Sequence, residues 1–355
     1  MATVGAELFG HTEAGQAVHR WRLDDGELAI GVLDLGAIVH TLEVPDRNGV
    51  RADVVVGFDS PAGYLTEPPM YAGAVVGRYA NRIADGVFAV DGRTYEIPPN
   101  EGPNVLHGGR DGFHRRMWNV EGFGEAGLRC VLISPDGDQG FPGELTVEVT
   151  YELLPGRRVR IDYRATSDRP TVLNLTQHTY FALDGTGEHG PDSNEEHLLQ
   201  VPARAYTPTG PGQIPTGTIE SVEGTPLDLR QARRIGDVVK ALEAVGRPGG
   251  VDHNFVLGPT LPATGTLRPA GTLSAPGSGR RLDVFTNQPA VQVFTASAQE
   301  GPWIGKGAVP IGPASGVCLE TQHYPDAPNQ EHFPSTRLDP GQVFDSVTEW
   351  RFSAV

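Results

Sequence analysis

The chain has 355 residues and is acidic, with 44 Asp and Glu against 28 Lys and Arg, a formal charge of −16 with neutral histidine. That balance argues against a nucleic-acid backbone or an anionic membrane surface as partner and suits an uncharged ligand. The two cysteines, Cys130 and Cys318, lie far apart and in no CxxC pattern, so they offer neither a disulfide framework nor a zinc signature and fit a reducing, cytoplasmic setting.

Met1–Leu8 carries Glu7 and lacks a basic start followed by an apolar core, so neither a signal peptide nor a membrane span is expected. The 46 glycines and 30 prolines are spread between short apolar runs rather than gathered in one block. Many short runs separated by turns predict an all-β protein, a sandwich or barrel. Ala17–Leu23, Leu28–Leu35 and Asp53–Val56 are the first strands, with a turn at Pro45–Gly49. Pro61–Tyr64 reads as a single helical turn. Val87–Val90 and Thr94–Ile97 flank Asp91-Gly92, a hairpin signal because both residues tolerate positive φ. Val131–Ser134, Leu145–Leu154 and Val159–Ala165 follow, separated by Pro135-Asp-Gly-Asp138 and Pro155-Gly156. In Leu145–Tyr151 the residues Leu145, Val147, Val149 and Tyr151 alternate with Thr146, Glu148 and Thr150, the pattern of a half-buried strand. His197–Val201, Asp283–Thr286, Ala290–Thr295, Gly316–Glu320 and Thr348–Phe352 complete the strands. Ile235–Val245 is the one clear helix, with Ile235, Val238, Val239, Leu242 and Val245 on a single stripe. Residues 184–196 and 258–280 read as long loops. Strands resume after the second with no shift in composition, so residues 1–355 are expected to form a single domain.

Two strand-like runs each carry one ionisable side chain: His178 in Asn174–Phe181 and Glu320 in Val317–Asp326. A carboxylate and an imidazole are the groups best suited to move protons near neutral pH, and neither gains by sitting in an apolar strand without a partner or a task. His178 alone reads equally as a satisfied core histidine. Gly77–Ile83 presents Asn81 and Arg82, both rich in donors, and His107 precedes two glycines where backbone can approach a ligand closely. A turn with a solvated Arg82 and a capping His107 explains the same residues. Asp252, between Val251 and Phe255, is suited to accept two sugar hydroxyls or to close an Asx turn. Gln292 stands in the strand run Ala290–Thr295, in phase with Ala290 and Phe294. Glu320 shares its strand face with Cys318, while Leu319 points the other way. His107, His178, His253, His323 and Glu320 hold enough ligands for a metal, but no HxH or HExxH spacing supports one. No G-x-S-x-G elbow is present and no Walker or G-x-G-x-x-G loop opens a helix, which leaves hydrolase and nucleotide-cofactor readings without a signal.

Taken together, Gly77–Ala84, Asn104–Gly109, Gly140–Glu144, Asn174–Leu183, Tyr206–Pro208, Ile214–Gly217, Gly224–Asp228, Val251–Phe255, Gln288–Thr295 and Cys318–Gln330 resemble, in order, the motifs of the aldose 1-epimerase (galactose mutarotase) family. The resemblance runs over nearly the whole chain. It implies one large β-supersandwich with an open cleft, and interconversion of the α and β anomers of free aldohexoses such as glucose and galactose with no cofactor and no metal. It implies Glu320 as general base, His178 as general acid and His107 at the ring-oxygen end, with Asn81, Arg82, Asp252 and Gln292 on the sugar hydroxyls. A monomer or weak homodimer, with a sugar as its only partner, is expected.

Three features depart from the family pattern. Thr207–Gln213 lacks the acidic residue commonly found there, which predicts a changed loop with intact chemistry. Tyr324 stands where many members carry Trp and is expected to alter the cleft rim. The 258–280 segment looks longer than usual. Two other readings remain at this level. Arg110, Arg115 and Arg116 near His107 are candidates to hold a sugar phosphate, and a non-catalytic sugar-binding module is compatible with the same fold.

Overall fold

The computed structural model describes residues 3–186, 193–258, 266–301 and 303–355. Three antiparallel sheets dominate it. The first takes five N-terminal strands in sequence order: Thr3–His11, Ala17–Asp24, Ala29–Leu33, Val39–Pro45 and Arg51–Asp53. The largest has nine strands, with Gly127–Ser134, Leu145–Leu154, Arg158–Ser167, Phe344–Ala354, Arg280–Thr286 and Arg268–Ser274 as consecutive neighbours in its middle. The third, which carries much of the site, has the order Glu220–Ser221, Ala205–Thr207, Asp252–Val256, Ala290–Phe294 and Cys318–Gln322.

Alternation explains how the sheets stack. Leu145, Val147, Val149 and Tyr151 are wholly buried, as their period-2 spacing predicts. They join one apolar cluster with Ile30 and Leu42 of the first sheet and Val291, Val293 and Leu319 of the third. The nine-stranded sheet therefore faces both five-stranded sheets across a common core, an all-β sandwich. Each Val, Leu or Ile removed from water there contributes roughly 1.5–3 kcal/mol. Among the described residues the α-helices are Pro61–Tyr64 and Ile235–Ala244, and no helix is long and apolar enough to cross a membrane.

Two buried polar struts tie the core to the segments that carry the site. The Tyr151 hydroxyl donates to Ala37 O and accepts from Gln177 Nε2, both at 2.8 Å, which anchors the residue before His178. Arg78 lies buried below Asn81 and Arg82. It donates to Ser134 Oγ at 2.9 Å, to Ser134 O and Pro135 O at 2.8 Å, and to Pro142 O at 2.9 Å. Burial lowers its pKa to about 10, so it stays charged at neutral pH. Arg78→Met keeps the bulk but strands three carbonyls, each costing about 1–3 kcal/mol. A loss of roughly 3 kcal/mol or more is expected in urea unfolding, and unchanged stability would contradict the strut.

Several strand expectations need revision. The Asp91-Gly92 hairpin forms as expected, with Val90 opposite Arg93 and φ of 52° and 73° at the turn. Asp53–Val56 is not one strand: pairing ends at Asp53, and Val55 instead bridges Phe181. Residues 258–280 are not simply a loop, because Arg268–Ser274 is an internal strand of the nine-stranded sheet. Pro269 and Gly271 masked it, and a register shift lies between them. Residues 259–265 of that segment, and 187–192 of the other expected loop, lie outside the described residues.

Candidate active site

The third sheet has two unlike faces. Val291, Val293 and Leu319 point into the core. On the other face, in phase with one another, stand Asp252, Gln292, Phe294, Cys318 and Glu320. Gln292 pairs directly with Glu320 across the ladder and with Asn254 on its other side, so Asp252 sits one diagonal step away. Gln292 Nε2 donates to Asp252 Oδ1 at 2.5 Å. The residues that looked out of place in these strands share a face because the pleat has period 2.

His178 arrives from another direction. Thr176–Gln177 pairs with Val75–Val76, and the His178 N–H continues the run to Ala74 O at 2.9 Å. Three residues later Phe181 exchanges both backbone hydrogen bonds with Val317, at 2.9 and 3.0 Å. That bridge locks the His178 segment to the residue beside Cys318. It brings His178 Nε2 to 3.8 Å from Glu320 Oε1.

The remaining expected residues converge on the same place. Asn81 adopts φ of 63°, which turns its N–H onto His107 Nδ1 at 3.2 Å. The Asn81 Oδ1 accepts the Arg82 N–H, so the group it retains for a ligand is its Nδ2 donor. Arg82 grips Glu101 in a fork, Nε to Oε2 at 2.6 Å and Nη2 to Oε1 at 2.7 Å. Asn81, Arg82, His107, His178, Asp252, Gln292 and Glu320 all line one cleft of about 280 Å³. The cleft also includes Tyr71, Glu101, Tyr180, Gln213, Phe294 and Gln299. It opens beside a second hollow of about 390 Å³, where Arg247 and His253 join Gln213, Asp252, Phe294 and Gln299 in the wall.

Burial sets the electrostatics. Desolvation, with the Asp252 charge adding to it, pushes the Glu320 carboxyl well above the usual carboxylate range, and Arg82 opposes the shift. Glu320 Oε2 has no hydrogen-bond partner. Desolvation alone lowers His178 to about 4, and it holds His107 well below 6.5 with the His178, Arg82 and His114 charges reinforcing it. Burial also raises Asp252, against the pull of Arg82 and the Gln292 hydrogen bond. Burial would lower Arg82, but the Glu101 hydrogen bond and the Asp252, Glu101 and Glu320 charges outweigh it. Burial thus raises the proton affinity of Glu320 and lowers that of His178, moving the two toward each other.

Of the histidines considered as metal ligands, only His107 and His178 join Glu320, with ligand atoms all within 4.8 Å. His253 lines the neighbouring hollow, and the His323 segment is held by Asn174 through backbone contacts. His107 is ill suited to an ion. Its Nδ1 accepts the Asn81 N–H, so the neutral ring carries its proton on Nε2 and offers a donor rather than a lone pair. That arrangement suits a hydroxyl or ring oxygen.

Three further expectations change. Tyr324 does not shape the rim: it is fully buried against Ala290, Ala327 and Phe333. Arg110, Arg115 and Arg116 form no phosphate site in the cleft, because none of them lines it: Arg110 is exposed, Arg115 pairs with Glu67 and Arg116 with Asp138. Gln213, in the loop that lacks the acidic residue, lines the cleft itself. Glu101, Gln213, Tyr71 and Gln299 carried no signal in the sequence, since each comes from a segment without strand periodicity. Tyr180 and Cys318 had one, being two residues from His178 and Glu320.

The comparisons with known proteins agree with this geometry. The aldose 1-epimerase family model matches residues 19–351. The galactose mutarotase of Bos taurus is 40% identical over 354 residues, 99% of each chain, and that of Homo sapiens is likewise 40% identical over 354 residues and 99% of each. The aldose 1-epimerase of Escherichia coli K12 is 36% identical over 329 residues, 92% of each. A solved galactose 1-epimerase from Lactobacillus acidophilus superposes with a TM-score of 0.83 at 26% identity, covering 100% of this chain and 99% of its own. The fold and the cleft define a carbohydrate epimerase. The chain belongs to the aldose 1-epimerase family, and its reaction is mutarotation, the interconversion of α and β anomers.

Proposed function

We propose that Glu320 and His178 exchange protons with the two oxygens of one anomeric centre, and that the sugars taken are free aldohexoses such as glucose and galactose. The observation that carries this is the 3.8 Å approach of His178 Nε2 to Glu320 Oε1 in a cleft walled by Asn81, Arg82, Asp252 and Gln292. Sugar hydroxyls entering the cleft solvate the carboxylate, and Arg82 stabilises its charge, so the shared proton passes to His178. Glu320 then removes the proton from the C1 hydroxyl. His178 Nε2 gives its proton to the ring oxygen, the C1–O5 bond breaks and an open-chain aldehyde forms. Rotation about C1–C2 presents the other carbonyl face. Closure runs in reverse, with protonated Glu320 returning a proton to O1 and His178 taking one from O5. One group must donate as the other accepts, which a single proton shared by carboxyl and imidazole provides. His107 Nε2–H stands beside His178 as a fixed donor to the ring-oxygen end. Asp252, Gln292, Asn81 and Arg82 hold the hydroxyls and limit the tumbling of the open chain.

Polarimetry tests this. α-Glucose and α-galactose are expected to equilibrate faster with the protein present, whereas a hexose 6-phosphate is not, since Arg115 and Arg116 are committed to Glu67 and Asp138. Preference for the phosphate ester would replace the free-aldose reading, and no acceleration of any sugar would leave only a binding module.

A further inference from the structure

Every hydrogen-bonding group that His178 uses in the proposed reaction is accounted for on its Nε2 side. Its other nitrogen points away from the sugar, toward Cys318. Cys318 Sγ lies 3.6 Å from His178 Nδ1, and the thiol is fully buried. It reaches there for two reasons already described. Cys318 shares its strand face with Glu320, two residues on, and the Phe181–Val317 bridge sets the His178 segment beside it. One strand therefore touches both nitrogens of the same imidazole: Glu320 faces Nε2, and Cys318 faces Nδ1.

The reaction demands a definite tautomer. An imidazolium that gives up its Nε2 proton must keep the one on Nδ1, and the neutral ring must show a bare Nε2 to take the proton back. The Nδ1–H needs an acceptor throughout. Two are at hand, the residue's own backbone oxygen, which also accepts the Gly73 N–H at 2.9 Å, and the Cys318 sulfur at 3.6 Å. The other neighbours of His178 do not serve. Tyr71, His107 and Tyr180 meet it ring against ring, at centroid distances of 5.9, 5.1 and 5.1 Å. His114 meets Tyr71 edge-on on its far side. Arg82, Asp252 and Glu320 stand on the cleft side.

We propose that Cys318 is a positioning residue for this reaction: its sulfur accepts the Nδ1–H of His178 and so leaves Nε2 as the nitrogen that trades protons with the sugar. A sulfur is a weak acceptor. A carboxylate at that place would stabilise the imidazolium and blunt it as an acid. A thiol holds the ring in place while leaving it acidic enough to protonate a weakly basic ring oxygen. Burial, with the Glu320 and Asp252 charges, raises the thiol well above its ordinary range, so it stays protonated and neutral. This inference rests on the assignment of Glu320 and His178 above.

The test uses the full chain with Cys318→Ala, Cys318→Ser and His178→Asn. In nitrogen-15 spectra at neutral pH, His178 of the native protein is expected as the Nδ1–H tautomer. In Cys318→Ala the population is expected to move toward Nε2–H, with kcat on α-galactose falling roughly tenfold, the scale of one lost hydrogen bond, and KM within about twofold. Cys318→Ser, with a stronger acceptor, is expected to keep most of kcat and shift the acid limb of the pH profile upward. A purely packing role would not move the tautomer or the limb. If both Cys318 variants keep the native tautomer and pH profile, the inference is overturned. Should Cys318→Ala fail to fold, the Ser variant carries the same decision. His178→Asn separates the two levels: if it retains full kcat the acid–base assignment itself falls, whereas an inactive His178→Asn beside unaltered Cys318 variants removes only the role of Cys318.

Discussion

Glu320→Gln is expected to lose turnover by roughly 100- to 10,000-fold while still binding sugar. The amide is nearly isosteric and keeps the face shared with Gln292 and Asp252, so the cleft retains its shape. What disappears is the carboxylate proposed to take the C1 hydroxyl proton. The substitution also removes the raised carboxyl from a place where it has no hydrogen-bond partner for Oε2, so the folded state is not expected to suffer. The signature is therefore a collapse of kcat with little change in sugar affinity and no loss in thermal stability. Polarimetry for kcat and calorimetric titration with galactose measure the two halves separately. Full turnover in this variant would remove Glu320 from the chemistry, and loss of binding together with turnover would make it a binding group instead.

The second large effect is on stability. His40 and His114 are buried and lowered to about 3, His178 and His323 to about 4, and His107 falls well below 6.5, in every case first by desolvation. An imidazole with a depressed folded pKa stays neutral while its unfolded counterpart takes up a proton below pH 6.5. The unfolded state then binds more protons, so stability falls as pH falls, by about 1.4 kcal/mol per pH unit for each such group. Glu320 and Asp252 are raised and act the other way, since they hold protons that the unfolded chain releases. With His253, also lowered to about 4 first by desolvation, six imidazoles oppose two carboxyls, and the net effect is a loss of stability as pH falls below 6.5. Against the total of about 5–15 kcal/mol typical of a native protein, a loss shared by several groups is a large part of the margin. Urea unfolding at pH 7, 6 and 5 should show the midpoint dropping steeply. An equal midpoint at pH 7 and pH 5 would mean that these imidazoles are solvated in solution. The same limit hides the acid limb expected from His178 unless activity is measured in short assays.

The two effects have one origin. A mutarotase needs a carboxyl and an imidazole whose proton is not captured by water. Burying both in one cleft brings their affinities for that proton toward each other from opposite sides, one raised and one lowered. The same burial leaves several core imidazoles whose protonation opposes folding.

Much of this was legible from residue order. Period-2 alternation marked Leu145–Leu154 as a strand, and the same period put Gln292 of Ala290–Thr295 in phase with Ala290 and Phe294. The polar residues His178 and Glu320 stood out because each interrupts an apolar strand where a charge has no cheap home, whereas Asp252 read equally as a turn. The acidic composition and the absence of basic clusters pointed to a neutral ligand. Local rules reach this far because strand pleat and desolvation cost are properties of a few neighbouring residues. They failed at Arg268–Ser274, where Pro269 and Gly271 read as loop although neighbours on both sides supply the pairing. They failed at Tyr324, whose burial depends on Phe333 and Ala327 closing over it. Tertiary structure alone decided that Phe181 would bridge Val317, since that contact joins segments more than a hundred residues apart and carries no periodic signal. From that single bridge follow the 3.8 Å between His178 and Glu320 and the sulfur behind the imidazole. The residues specify which chemistry is possible, and the long-range pairing specifies that it happens at one carbon.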